Sequence, residues 1–274
     1  MGVDTLKLPR MLMIGSADRN AGKTTFACSV IQRFCDDHEI VGLKVTPVSE
    51  KGEACPRGGT GCGVCSSLEG EYCITDEHEA PAEKDTGRLV AAGASQVLWL
   101  RVLRSHLRDG IVAVLEQVSS DALLVCESNS LRHVVEPGVF VMLRAQQGTD
   151  PKASADAVRD QADTSPLFDG ETVDFDLTRI GVHEATWTLK QEATAIILAG
   201  GASERMGQDK ALLPVDGVPL IERLYRALVP RFTEVLVSAA NPETYGFLGA
   251  RVVADRERGQ GPLMGIASSL AVSR

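Results

Sequence analysis

Aromatic residues make up only 4% of this 274-residue chain, too few for the stacked aromatic platforms that hold single-stranded nucleic acid. Positive charge is also in deficit: 28 Lys and Arg stand against 37 Asp and Glu, a formal net charge of −9. That balance disfavours nonspecific nucleic-acid binding and leaves room for local basic sites. No apolar run reaches the roughly 18 residues that span a bilayer, so no membrane partner is expected. The opening MGVDTLKLPR has no apolar core followed by a cleavage site, so no secretory signal is expected either. Seven cysteines without an export signal point to a reducing cytoplasm, where thiols bind metal or stay free. The rest of the composition, 44% hydrophobic and 24% charged, is that of a globular protein with one or two domains.

Strand and helix patterns alternate along the chain. MLMIG (11–15), EIVGLKV (39–45), SQVLWLRV, DALLVCE (121–127) and VFVMLR (139–144) read as buried strands. TFACSVIQRF, KDTGRLVAAGA (84–94) and LRDGIVAVLEQV carry helical spacing. This alternation predicts a mostly parallel sheet with helices on both faces. Residues 47–80 read as an irregular insertion rich in Gly, Cys and Glu. Between 146 and 190 the pattern weakens, with DPKASADAVRDQAD expected as a helix and DFDLTRI as one more strand. From Thr194 the alternation restarts: AIILAGG strand, PLIERLYRAL helix, EVLVSAA and ARVVAD strands. We therefore expect a first domain over residues 1–190, with an insertion at about 47–80, and the opening of a second over 191–274. The two share no internal repeat.

The first strand runs into IGSADRNAGKTT. The phosphate-loop pattern GxxxxGK[ST] keeps its Gly22-Lys23-Thr24 core, followed by Thr25, with Ala17 at the leading glycine position. Such a loop turns backbone N–H groups toward phosphate oxygens, reaches the terminal phosphates with its lysine, and offers a hydroxyl to magnesium. An acid at the end of a neighbouring strand completes a magnesium site. Glu127, closing DALLVCE, is the candidate. Asp85 is either a second polar group near the phosphates or an ordinary acid at a helix start, stabilised by the dipole. Residues 11–145, through AGKTT, KDTGRLVAAGA and ESNSL, resemble the MobB-type P-loop proteins of molybdopterin dinucleotide synthesis. Small P-loop synthetases of the dethiobiotin synthetase class share the skeleton. The MobB resemblance implies GTP binding, slow hydrolysis and an adapter role toward a transferase.

Cys55, Cys62, Cys65 and Cys73 follow C-x6-C-x2-C-x7-C spacing in a glycine-rich stretch. Four thiolates suit zinc or an iron–sulfur cluster; the alternative is an ordinary loop with free thiols or a stray disulfide. Cys28, Cys35 and Cys126 fall in helix and strand patterns and read as small buried apolar residues.

LAGGASERMGQDKALLP (198–214) is the most specific stretch. A strand ends in Leu198 and hands over to Gly200 and Gly201, which let backbone approach a nucleotide closely. Arg205 and Lys210 bring two cations to the place where charge develops as pyrophosphate leaves. The order LAGG, RMG, DK, a leucine-rich strand and GxPLIER resembles nucleotidyltransferases with a Rossmann-like fold, and most of all the molybdenum cofactor guanylyltransferases of MobA type. The resemblance implies that Asn241 in VSAAN contacts guanine and that Asp255, before GQGPLMGI, lies in the nucleotide site. Gly200, where the related cytidylyltransferases read LAAG, favours GTP over CTP. The likeness covers residues 193–274, and the family's magnesium aspartate and pterin site fall beyond them. The chain thus reads as a truncated transferase.

Taken with both resemblances, the expectation is an α/β protein: a P-loop NTPase-like parallel-sheet domain followed by an incomplete Rossmann-like nucleotidyltransferase domain. Its expected reaction is GMP transfer from GTP to molybdopterin with Mg2+. Molybdoenzymes or their chaperones are the expected partners, and the oligomeric state is open. The alternative is a GTP-binding adapter with a metal clip and an inactive transferase remnant. A transferase for a sugar phosphate or a lipid precursor is a third reading.

Overall fold

The computed structural model describes residues 5–49, 68, 70–147, 152–199, 209–257 and 260–274. The chain divides into two compact units. The first runs up to Leu177 and takes in Val182–Trp187; the second comprises Thr178–Gly181 and the chain from Thr188 onward.

In the first unit the apolar runs become strands β1 (Leu6–Ser16), β2 (Ile40–Val48), β3 (Tyr72–Asp76), β4 (Gln96–Leu103), β5 (Leu123–Glu127), β6 (Val135–Ala145), β7 (Leu167–Phe168) and β8 (Val173–Asp174). They form one sheet in the order β3-β4-β2-β5-β1-β6-β7-β8. The central pairings are parallel; β3 joins β4, and β8 joins β7, antiparallel. Every residue of β5 is buried, as are Met11–Ile14 of β1, which is why these strands are continuously apolar rather than alternating. Helices α1 (Lys23–Phe34), α2 (Asp85–Ala91), α3 (Leu107–Leu115) and the short α4 (Ala153–Asp156) belong to the same unit. On α1 the residues Phe26, Ala27, Val30 and Ile31 are buried, the three-to-four spacing of a core-facing stripe. Trp187 is 1% exposed, donates from Nε1 to Leu124 O at 3.1 Å, and meets the edge of the Phe34 ring.

Three expectations about residues 47–190 are corrected. Part of the 47–80 stretch is strand β3 (YCITD), an antiparallel edge too short and too little buried for a periodic pattern to mark it. DPKASADAVRDQAD gives only the single turn of α4 and a 3-10 turn at Arg159–Gln161 within its described part. DFDLTRI is not a strand: Leu177–Arg179 forms a 3-10 turn between β8 and β9 (Ile180–His183). β9 pairs with β10 (Thr186–Leu189) through a turn in which Glu184 and Ala185 both hold positive φ, 49° and 55°. That is the conformation tight hairpins need.

The second unit carries β11 (Gln191–Leu198), a small hairpin of β12 (Pro214–Val215) and β13 (Val218–Pro219), helix α5 (Leu220–Leu228), β14 (Phe232–Ala239), β15 (Arg251–Ala254) and helix α6 (Pro262–Leu270). Asp216 and Gly217 make the hairpin turn with φ of 52° and 79°. β11, β14 and β15 form a parallel sheet in that order. Its core holds Ile197, Ile221, Val237, Ala239 and Tyr245. The leucine-rich strand expected after Asp209-Lys210 is instead a 3-10 turn, Lys210–Leu212, because the Asp209 carboxylate accepts from Ala211 N and caps it.

Candidate functional site

The first site lies where β1 hands over to α1. Gly22 sits at φ 73° immediately before the helix, and a Cβ there would meet the Phe168 ring at 2.5 Å. Only glycine serves both the left-handed turn and this close approach. The helix then opens with Lys23, Thr24 and Thr25, so its free N–H groups and dipole face the loop. Thr25 Oγ1 accepts from Arg88 Nη2 at 3.1 Å.

Glu127 ends β5, in register with Ile14 of β1 and Lys44 of β2. The parallel pairing thus brings the strand-terminal acid beside the loop. Thr24 Oγ1 donates to Glu127 Oε2 at 3.2 Å, while Oε1 is buried with no hydrogen-bond partner among the described residues. Burial pushes the Glu127 carboxyl above its ordinary range, against the pull of Lys23 and Lys44. A hydroxyl and a buried carboxylate with a spare oxygen form the donor set a hard divalent cation takes. Asp85 is the first residue of α2 and is ion-paired to Lys44 of β2. Burial raises its pKa, but the bond and charge of Lys44, with Thr24 and Lys23, leave it below the usual carboxylate range. Asp85 is therefore both a helix-start acid and a group close to the cradle.

The sequence patterns did not single out Ser16, Lys44, Asn129 or Lys152. Ser16 N donates to Asn129 Oδ1 at 2.8 Å, and Asn129 Nδ2 returns a bond to Ser16 O at 2.9 Å. Lys23 Nζ lies 3.4 Å from Ser16 Oγ. These partners stand 113 residues apart for Ser16 and Asn129 and 7 for Lys23 and Ser16; only the nearer pair falls inside the loop motif.

Of the four expected cysteine ligands, Cys55, Cys62 and Cys65 lie outside the described residues. Cys73 is on β3 opposite Arg101, whose Nη2 donates to its Sγ at 3.0 Å. Among the described residues no group of three or more His, Cys, Asp or Glu is placed to hold a metal. Cys126 is buried, and burial raises its thiol pKa. Cys28 and Cys35 are half-buried rather than fully enclosed.

The second site is built on the carboxyl ends of β11, β14 and β15. Gly200, Gly201 and Arg205 lie outside the described residues; Leu198, at the end of β11, is exposed. Lys210 is exposed and opens the 3-10 turn that Asp209 caps. The other oxygen of Asp209 accepts from the Tyr245 hydroxyl. Burial first, then Asp209, pushes the Tyr245 phenol pKa up. Tyr245 belongs to the turn Pro242–Leu248 that Asn241 precedes, so this bond ties the Asn241 segment to the Lys210 segment. Asp255, one residue past β15, accepts from Ser238 Oγ at 3.1 Å. A Cβ on Gly265 of α6 would meet that same hydroxyl at 2.5 Å, so the glycine lets the helix lie close against the strand ends. Lys210, Asn241 and Asp255 thus gather at one end of a parallel sheet, where α/β folds bind ligands. Tyr245 and Ser238, which brace them, carry no motif signal.

Residues 195–274 match the family model of the MobA-like NTP transferase domain. The chain is 49% identical over 83 residues to a probable molybdenum cofactor guanylyltransferase of Carboxydothermus hydrogenoformans, covering 30% of this chain and 42% of that protein. Against the molybdenum cofactor guanylyltransferase of Rhodobacter capsulatus it is 50% identical over 78 residues, 27% of this chain and 40% of that one. The chain spans about two-fifths of the length of these curated relatives, 42% and 40%. The crystal structure of the apo form of LpxK from Aquifex aeolicus in complex with ATP covers 94% of this chain and 77% of its own at 11% identity, with a TM-score of 0.40, a likeness too low to bear on function. No helix among the described residues is long and apolar enough to cross a membrane.

Proposed function

We propose that this protein acts in the cytoplasm in molybdenum cofactor biosynthesis, with residues 191–274 forming the GTP-binding part of a guanylyltransferase and residues 1–190 a P-loop adapter that binds a second GTP. The observation that carries this is the match of residues 195–274 to the MobA-like transferase domain, with Lys210, Asn241 and Asp255 at one end of the parallel sheet. In the transfer, a phosphate oxygen of molybdopterin attacks the α-phosphorus of GTP. A new P–O bond forms, the bond to the bridging oxygen breaks, and pyrophosphate leaves with its electron pair. Lys210 and Arg205 neutralise the charge on the departing phosphates, and Gly200 and Gly201 let the loop backbone approach the nucleotide closely. Leu198 closes the strand below them, and Asn241 reads the guanine edge.

In the first cradle, Gly22, Lys23, Thr24 and Thr25 hold the phosphates, and Thr24 and Glu127 would hold Mg2+. The ion would there neutralise phosphate charge; the orphaned Oε1 of Glu127 supports that fit. Zinc or an iron–sulfur cluster at Cys55, Cys62, Cys65 and Cys73, and handover to molybdoenzymes or their chaperones, belong to the same proposal.

The test is incubation of the full natural protein with GTP, Mg2+ and molybdopterin. The expected result is pyrophosphate and the guanine dinucleotide in equal amounts, with Lys210→Ala lowering the rate by at least about a hundredfold, the scale seen when a transition-state donor is removed. No dinucleotide from the wild-type protein would overturn the proposal.

A further inference from the structure

Lys152 sits on the rim of the first cradle. Its backbone N–H donates to Ala17 O at 2.8 Å, which fixes the start of α4 against the loop. Its Nζ donates to Ser16 Oγ at 2.6 Å, the hydroxyl that Lys23 Nζ approaches at 3.4 Å. Ser16 is held in turn by Asn129, whose Nδ2 also reaches Ser154 Oγ of α4 at 3.3 Å. Two lysine amino groups, from residues 23 and 152, therefore converge on one neutral oxygen.

Among the described residues, the charges around Lys152 are Lys23 at the start of α1 and Arg19 and Asp18 in the loop. Asp18 is the sole attractive one among them, and its Oδ2 already accepts from Ala145 N at 3.0 Å. Burial, then Lys23, hold the Lys152 pKa down to about 7. Holding both amino groups protonated, with Asp18 the one attractive charge among these, is a standing cost. An anion bridging the two removes that cost and adds charge-assisted hydrogen bonds.

We propose that Lys152 is a second phosphate-binding lysine of the first cradle, contacting the same phosphate chain as Lys23. The proposal rests on the reading that this loop binds a nucleoside triphosphate. Once phosphate is bound, Lys152 is fully protonated. The free site, half-protonated near pH 7, takes up a proton on binding. Affinity is then highest below about pH 7 and falls as pH rises toward the higher pKa of the bound lysine.

The experiment is calorimetric titration of Mg-GTP into the full chain carrying Lys210→Ala, which silences the second site, at pH 6.5 and 8.5 and in two buffers of different ionisation enthalpy. Lys152→Met is expected to weaken binding about tenfold or more at pH 6.5, through loss of one charge-assisted hydrogen bond, and to flatten the pH dependence. Lys152→Arg is expected to keep the affinity and lose both the pH dependence and the buffer-dependent proton uptake. Lys23→Ala is the control for the underlying reading. If Lys23→Ala binds as tightly as its parent, the loop is not the nucleotide site. If Lys23→Ala loses binding while Lys152→Arg keeps the parent's pH profile and proton uptake, the loop reading stands and the role of Lys152 is overturned.

Discussion

Glu127 shows what a single residue costs and supplies. Its carboxyl is enclosed at the end of an entirely buried strand, with one oxygen bonded to Thr24 and the other without a partner among the described residues. Its pKa is raised in the fold, so the folded state binds the proton more tightly than the unfolded chain does. Its contribution is favourable below the unfolded value of 4.5 and is lost as pH climbs through the folded value. Glu127→Gln is therefore expected to raise the stability of the metal-free protein at neutral pH and to abolish stabilisation by Mg-GTP at the first cradle. Thermal unfolding with and without Mg-GTP checks both halves, and a variant still stabilised by Mg-GTP would exclude Glu127 as a magnesium ligand. Lys152 has the opposite sign. Its folded pKa of about 7 lies below the reference value of 10.5, so wild-type stability should rise relative to Lys152→Met between those limits. Denaturant unfolding at pH 6.5, 8 and 9.5 measures this; a constant gap would contradict it. Lys23, Thr24 and Glu127 were legible in the sequence because a loop pattern and a strand end mark them. Ser16, Asn129 and Lys152 were not: they meet across separations of 113 and 136 residues, and nothing local in a Ser, Asn or Lys reports a distant partner.

Elements were legible where burial imposes a period. The continuous apolar runs of β1 and β5 exist because both sheet faces are covered, and the core-facing stripe of α1 follows the helical repeat. Pattern reading failed where the local bonds are those of turns. Asp209 caps a 3-10 turn in a stretch whose leucines suggest a strand, and Leu177–Arg179 turns where DFDLTRI reads as extended. Edge strand β3 was missed because its residues are half-exposed and carry no alternation to detect. At this scale Gly22→Ala is expected to destabilise the first unit and to remove nucleotide binding there. The left-handed backbone costs a non-glycine residue about 1–2 kcal/mol, and the new Cβ would meet Phe168 at 2.5 Å. Near wild-type stability with intact binding would contradict that account. In the second unit Tyr245→Phe removes the brace between the Asn241 turn and Asp209. The expected result is a higher KM for GTP with a stability loss of about 1 kcal/mol; an unchanged KM would show that the brace does not position the site.

At the scale of the whole molecule, each unit has a parallel sheet whose strand ends carry the residues proposed to bind a nucleotide. In the first unit, β1 delivers its loop beside the strand-terminal acid of β5. In the second, β11, β14 and β15 collect Lys210, Asn241 and Asp255 at one end. The two loops share no spacing, so one cannot stand in for the other, and each lysine should govern its own nucleotide. Equilibrium titration of the full protein with Mg-GTP tests this most directly. Two equivalents bound by the wild type, one by Lys23→Ala, one by Lys210→Ala and none by the double variant is the predicted result. Loss of all binding in Lys23→Ala with no change in Lys210→Ala would contradict it.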